Sequence, residues 1–360
     1  MACSKIFSGD LPELTNDIIQ YLEKDFSTLY SCILINRLWC RLAIPLLWEN
    51  PFLKEYPENQ HFIEIYLSKL NEDVKTKLYE YGVNNNLISS NTLLFNYPSF
   101  IKYLNIDNIL NSIRMWVDTV VVLGYDIDYY RSLIGKCLIQ IIISQHNLRK
   151  ITFEYNITLR NPFLSLKNSN CSNTLNIIIF YYIDFEDIIS ILQEIRYFES
   201  GIPDDNNIYL FIENNQHNIN YLTIEADFNS YTDCKELSSN VLQKLGQVLP
   251  YKLEYLCLIL SFNTSDLEIF LERSQNTFIE KLLISNDDEM SGKYEHLLFC
   301  IKKYIMKKER VKYLAINNHK DIVRNELFTL KDEVNEFKLH NIIVQQYSNL
   351  YISAYEIMNK

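Results

Sequence analysis

The stretch QHNLRKITFE (residues 145–154) returns later in the chain, only partly altered, as QHNINYLTIE (residues 216–225). Both copies end in the same pattern: an apolar residue, two variable residues, an apolar residue, one variable residue, and a third apolar residue. Leu148-Ile151-Phe153 and Ile219-Leu222-Ile224 fill it here. The pattern also fits Ile101-Leu104-Ile106, Val117-Val120-Val122, Leu175-Ile178-Phe180, Leu253-Leu256-Leu258, Ile279-Leu282-Ile284, Val311-Leu314-Ile316 and, more weakly, Val334-Phe337-Leu339. Its last two apolar positions are two apart, so they point to one side of a β-strand. Helical periodicity fills the gaps, most clearly over 127–144, 185–198, 237–249, 265–273 and 294–308. A single strand-helix unit cannot bury its apolar face, whereas stacked units can. The chain from 93 to 360 is therefore expected to be an α/β repeat array with a parallel sheet; a compact α/β domain with a parallel sheet is the alternative. The starts at 148, 175, 219, 253, 279 and 311 are unevenly spaced, and one element between 175 and 219 can lack a strand.

Residues 1–50 have a different texture, with short helical stripes set close together. In LPELTNDIIQYLEKDFSTLYSCILINRLWCRLAIPLLW (residues 11–48), Pro12 suits a first helical turn, and Asp10 with Glu13 resembles a capping box. Leu14, Ile18 and Leu22 share a stripe that Ile19 widens. Asp25 and Ser27 can cap a second helix carrying Leu29, Cys32, Ile33 and Asn36; Trp39 and Leu42 continue the apolar face, and Pro45 is expected to interrupt it. Residues 51–92 read as a helical linker, with Phe62, Ile65, Tyr66, Leu70, Val74 and Leu78 at helical spacing.

Two resemblances follow. LRKITFEYN (148–156) fits the LxxLxLxxN pattern of leucine-rich repeats in full, and the array over 93–345 resembles an irregular member of that family. The resemblance implies a horseshoe-shaped solenoid in which a recurring asparagine ties neighbouring turns. Asn156 holds that position here, but Asp227, Ser261, Asp287 and His319 replace it elsewhere. Residues 11–48 resemble an F-box: Leu-Pro at the start, an isoleucine-leucine helix, an acidic break, a tryptophan just after Asn36-Arg37, and Leu46-Leu47-Trp48 at the end. Ile35-Asn36 stands where that family usually has valine-cysteine. The resemblance implies a surface for a Skp-family adaptor and, through it, a cullin. Leu11, Pro12, Leu14, Ile18, Ile19 and Leu22 would form the first contact helix, Leu29, Cys32, Ile35 and Asn36 the next, and Trp39, Leu46 and Trp48 its core and rim.

Composition narrows the function. Apolar residues make up 48% and charged residues 22%, enough apolar material for a core. The net charge of -11 leaves no whole-chain basic footprint for nucleic acid. The basic run of Lys302, Lys303, Lys307, Lys308 and Arg310 reads as a solvated helix face. No apolar run approaches the length of a membrane span, and no two cysteines have zinc-knuckle spacing. The expectation is a cytoplasmic or nuclear protein with reduced thiols, no membrane partner, no metal and no cofactor. The seven glycines are too far apart for a phosphate loop, and no nucleophile or metal-protease motif occurs. A non-catalytic substrate receptor is the reading; a repeat scaffold outside any ligase and an enzyme with an unrecognised site are the alternatives.

Residues between the core positions of each strand face the other way. Tyr103, Tyr221, Tyr255 and Tyr313 share one register. Asn105, Thr152, Thr223, Cys257, Leu283 and Ala315 come next along the strands, then Asp107, Glu154, Glu225, Ile259, Ser285 and Asn317. Tyrosine combines contact area with a polar handle. Tyr221, Glu225, Tyr255, Ile259, Tyr313 and Asn317 are therefore the candidate contacts for an unidentified protein substrate.

Overall fold

The computed structural model describes residues 11–52, 62–80, 93–120, 127–154, 174–181, 195–201, 207–226, 234–286, 294–318 and 326–352. They divide into two compact units, one of Met1–Thr152 with Asn168–Leu175 and the other of Phe153–Lys167 with Asn176–Lys360. The chain is α/β, and the strand pairings are parallel. Among the described residues no helix is long and apolar enough to cross a membrane.

The first unit opens with three short helices, α1 (Pro12–Tyr21), α2 (Phe26–Cys32) and α3 (Arg37–Leu47). The expected linker is two helices, α4 (Phe62–Leu67) and α5 (Glu72–Glu80). They part at Asn71, whose side chain accepts a hydrogen bond from the Val74 N–H at 2.9 Å and caps α5. Strand β1 (Tyr103–Asn105) pairs with β2 (Lys150–Glu154) across α6 (Ile106–Val120) and α7 (Ile127–Ile143). The strand expected from Val117-Val120-Val122 is overturned. Val117 and Val120 lie in α6, where Ile106, Ile109, Ile113, Trp116 and Val117 are buried at helical spacing. Val122 is outside the described residues. Tertiary burial outweighs the β preference of branched residues. Asp107, expected on a strand face, lies in the first turn of α6.

In the second unit seven strands pair in chain order: β3 (Ile177–Tyr181), β4 (Tyr197–Gly201), β5 (Tyr221–Glu225), β6 (Lys252–Leu260), β7 (Phe278–Asn286), β8 (Val311–Asn318) and β9 (Ile343–Val344). The described helices of this array are α8 (Asn207–Asn214), α9 (Cys234–Val248), α10 (Thr264–Arg273), α11 (Tyr294–Tyr304) and α12 (Lys331–Leu339). Leu222, Leu256, Leu282 and Leu314 stand side by side in register, as do Ile224, Leu258, Ile284 and Ile316, and all eight are buried. These are the last two apolar positions of the repeat pattern. Two expectations fail here. Of the helix read over 185–198, residues 185–194 lie outside the described residues and Tyr197–Phe198 open β4, so the interval between 175 and 219 contains a further strand. Val334-Phe337-Leu339 is helical, and the last strand is β9. Phe337 is buried while Leu339 is exposed, a helical contrast and not a strand pair.

Neighbouring turns are tied by polar devices. Asn156 lies outside the described residues, as do Asp227, Asp287 and His319. Asn286, one residue ahead of the expected position, does bridge turns: its amide accepts from the Phe262 N–H at 3.1 Å and donates to the Phe262 carbonyl at 3.2 Å. Helices α9 and α10 approach so closely that a Cβ on Gly246 would lie 2.9 Å from the Phe270 carbonyl oxygen.

The basic run is not a free solvated face. Lys302 pairs with Glu333 at 2.5 Å and Glu336 at 2.7 Å on α12, and Lys303 with Glu268 at 2.8 Å on α10, so α11 is bridged to both neighbours. Arg310 is buried. Its guanidinium donates to the Ser274 carbonyl, to Ser274 Oγ at 3.2 Å and to the Leu271 carbonyl at 3.3 Å, at the C-terminal end of α10. Burial lowers its pKa to about 10, so it remains charged at neutral pH and faces the negative end of the helix dipole. Replacing Arg310 by alanine should cost about 2 kcal/mol or more in urea unfolding, because buried carbonyls lose a charged donor. Replacing Lys302 by alanine should cost about 1 kcal/mol or less. Equal losses would show that Arg310 does not secure α10.

Candidate functional site

The three N-terminal helices are started by local hydrogen bonds. Pro12 occupies the first turn of α1, where a missing N–H does no harm. The Thr15 hydroxyl donates to the Leu11 carbonyl at 2.8 Å. Asp25 caps α2 as expected: its carboxylate accepts from the Thr28 N–H at 3.0 Å and the Thr28 hydroxyl at 2.6 Å, which holds its pKa below the usual value. Asn36, a residue assigned to adaptor contact, uses its side-chain oxygen to cap α3, accepting from the Leu38 N–H at 2.9 Å and the Trp39 N–H at 3.0 Å. Pro45 does not end the apolar helix. It sits near the end of α3, which runs on to Leu47.

The apolar residues of this segment divide into two groups. Ile19, Leu29, Cys32, Trp39, Ala43, Leu46 and Leu47 fill a small core, with Ile18, Leu22 and Trp48 half-buried against it. Four residues expected at the adaptor surface, Ile19, Leu29, Cys32 and Trp39, are thus spent on holding the helices together. Leu11, Pro12, Leu14 and Ile35 remain exposed. Sequence reasoning missed three further apolar residues on the outside: Leu34 at 85% exposure, Tyr21 at 92% and Tyr30 at 51%. Their signal was available, since each falls off the stripe that fills the core.

Trp48 also faces inward. Its ring lies 4.4 Å from Tyr97 and 5.7 Å from Tyr66, centroid to centroid. Beside it, the Glu49 carbonyl accepts from the N–H groups of Lys102 and Tyr103, at 3.0 and 3.2 Å, and the buried Glu49 carboxylate pairs with the Lys102 ammonium. Burial raises the Glu49 pKa and Lys102 opposes that rise. The helical segment is therefore joined to the start of β1 through one residue.

The second candidate surface lies on strands β4–β8. Tyr197, Tyr221, Tyr255, Lys281 and Tyr313 stand in successive register, so the tyrosine column exists with a lysine inside it. Ring centroids are 6.4 Å apart between Tyr197 and Tyr221 and 6.3 Å between Tyr221 and Tyr255. The Tyr221 hydroxyl donates to Glu254, and burial with this bond pushes its pKa up to about 12. Tyr313 is half-buried, with the Lys312 ammonium 5.0 Å from its ring centroid. Glu225, Ile259, Ser285 and Asn317 form the row four residues on; Glu225 and Ile259 are half-buried and Asn317 is buried.

One expectation needs correction. Tyr255 does not stand on an open face. It is completely buried together with Cys257, Leu283, Ala315, Leu350 and Ile352. The sheet face here is apolar, and the C-terminal residues cover it. Burial pushes the Cys257 thiol up to about 12, so it is neutral at physiological pH.

An open polar depression of about 250 Å³ is lined by Gln216, His217, Asn220, Tyr251, Lys252 and Glu254, and Glu254 is already engaged by Asn220 and Tyr221. Among the described residues no three His, Cys, Asp or Glu side chains cluster to hold a metal.

The division of the N-terminal apolar residues predicts a contrast in stability. Trp39→Ala should destabilise by about 3 kcal/mol or more, the usual loss for a large core side chain. Leu34→Ala should change stability by about 0.5 kcal/mol or less, as exposed substitutions do. Denaturant unfolding of each variant checks this, and a large loss in Leu34→Ala would mean that its side chain is covered.

Comparison with family models and with curated proteins found no match.

Proposed function

We propose that this chain is the substrate-recognition subunit of a Skp-cullin-F-box ubiquitin ligase. Its N-terminal helices form an F-box that binds a Skp-family adaptor, and its strand-helix units form a degenerate leucine-rich-repeat solenoid, horseshoe-like in form, that holds a protein substrate. The observation that carries this reading is the division of labour in α1–α3. One set of apolar residues fills the small core, while Leu11, Leu14, Leu34, Ile35 and Tyr21 stay in water. So many exposed apolar side chains on one short segment mark a protein-binding surface. The Leu-Pro start, Trp39 and the Leu46-Leu47-Trp48 end supply the F-box resemblance.

The chain itself does no chemistry in this reading. It holds substrate and adaptor on one molecule, so that transfer by other subunits proceeds at raised effective concentration. Cullin contact is made through the adaptor.

Substituting Leu11 and Pro12 by alanine, and separately Leu34 and Ile35 by serine, tests the adaptor surface. Each pair should weaken pull-down of a purified Skp-family adaptor at least about tenfold, the effect of losing 1.4 kcal/mol. The circular dichroism spectrum should remain that of the parent. Unchanged adaptor binding in both double variants would sink the F-box assignment. Absence of binding by the parent chain would leave a repeat scaffold that works without a ligase.

A further inference from the structure

Residues 346–352 cross the apolar face of β6, β7 and β8. A single helical turn, α13 (Tyr347–Leu350), rests on β7 and β8. The chain then reaches β6, where the Ile352 N–H donates to the Tyr255 hydroxyl at 3.1 Å. Leu350 and Ile352 are buried against Tyr255, Cys257, Leu283 and Ala315, with Tyr347 and Tyr351 half-buried at the edges. The two edge tyrosines stack with ring centroids 6.0 Å apart, and the Tyr347 hydroxyl lies 3.4 Å from Cys257 Sγ.

This cover is tied down differently from the strands beneath it. The last ladder-like bond runs from the Gln345 N–H to the Leu314 carbonyl at 3.0 Å. Beyond it, among the described residues, the backbone bonds of 346–352 are local: Asn349 and Leu350 to Gln346, and Tyr351 to Tyr347. Side-chain burial, the Tyr347–Cys257 contact and the bond to Tyr255 also hold the segment. A segment held by side chains over a laddered sheet opens at lower free energy than the sheet itself.

We propose that this face is a peptide-docking surface that residues 346–352 occupy in cis. A partner segment of the same chemistry displaces them: Tyr-x-x-Leu-Tyr-Ile, one helical turn followed by extended chain. The cis segment shows what the face accepts, namely aliphatic side chains over Cys257, Leu283 and Ala315, flanking aromatics, and a backbone N–H for the Tyr255 hydroxyl. The partner competes with the cis segment by mass action, so its apparent affinity falls by the fraction of open chains. This surface is distinct from the exposed apolar residues of 11–35, and the inference stands whether or not those residues bind an adaptor.

Cys257 is a built-in reporter of the covered state. In the full-length chain, Leu350→Ala with Ile352→Ala should raise the rate of maleimide modification at Cys257, followed by peptide mapping, at least about tenfold, because local opening is made easier. A synthetic peptide with the sequence of 346–352, acetylated and amidated, should restore protection saturably, and a scrambled peptide should not. An unchanged rate, or a fast rate that the peptide does not slow, would overturn the proposal. So would protection that rises with protein concentration alone, since the cover would then come from a second copy. If the variant does not melt cooperatively, hydrogen exchange in the parent chain decides. The Tyr351 and Ile352 amides should exchange at least about tenfold faster than those of Leu282 and Leu314. Equal rates would mean that the segment opens only with the whole sheet, and the proposal falls.

Discussion

A parallel strand has two faces, and both must be kept from water. In the second unit the connecting helices cover one face, where Leu222, Leu256, Leu282 and Leu314 are buried in a row. The other face carries Tyr255, Cys257, Leu283 and Ala315 over β6–β8, and among the described residues the cluster on it includes Leu350 and Ile352. The C-terminal residues Leu350 and Ile352 meet this need. What would otherwise be an open sheet face is thus partly closed by the chain itself. Along the register the tyrosine rings lie tilted beside one another, 6.3–6.4 Å between centroids.

Burial is solved differently in the first unit. Three helices of ten, seven and eleven residues enclose only a small core, built around Trp39 and Ile19. A unit this small has too few internal positions for all of its apolar side chains. Those left over, Leu11, Leu14, Tyr21, Leu34 and Ile35, are exposed. Glu49 makes the segment more than a loose appendage, because its backbone carbonyl and its carboxylate both engage Lys102.

Much of the fold was legible in the sequence. The paired apolar positions of the repeat mark buried residues of β5–β8, and the helices near 127–144, 237–249, 265–273 and 294–308 lie where helical spacing put them. The failures have physical causes. Val117 and Val120 suited a strand locally, but burial beside Trp116 and Ile113 made them helical. Strand β4 was hidden because Tyr197-Phe198-Glu199-Ser200 lacks the three-position apolar pattern. Its Glu199 is buried beside Tyr197, whose hydroxyl donates to it, whereas helical spacing is read through Tyr197 and Phe198. Arg310 read as one charge in a basic run, because nothing in the sequence shows the carbonyls of Leu271 and Ser274 waiting for it. The candidate sites were half legible. The motif located the N-terminal helices, but which apolar residues point inward depends on how α1 and α2 pack on α3. The tyrosine register was readable, whereas the cover supplied from the far end of the chain was not.

The central claim is that the N-terminal helices bind an adaptor. Its most direct test is to mix the purified chain with a purified Skp-family adaptor and measure the mass of the eluting species by size-exclusion chromatography with light scattering. The account predicts a single peak with the summed mass of one chain and one adaptor. Two separate peaks, each with the mass of its own component at micromolar concentration, would contradict it.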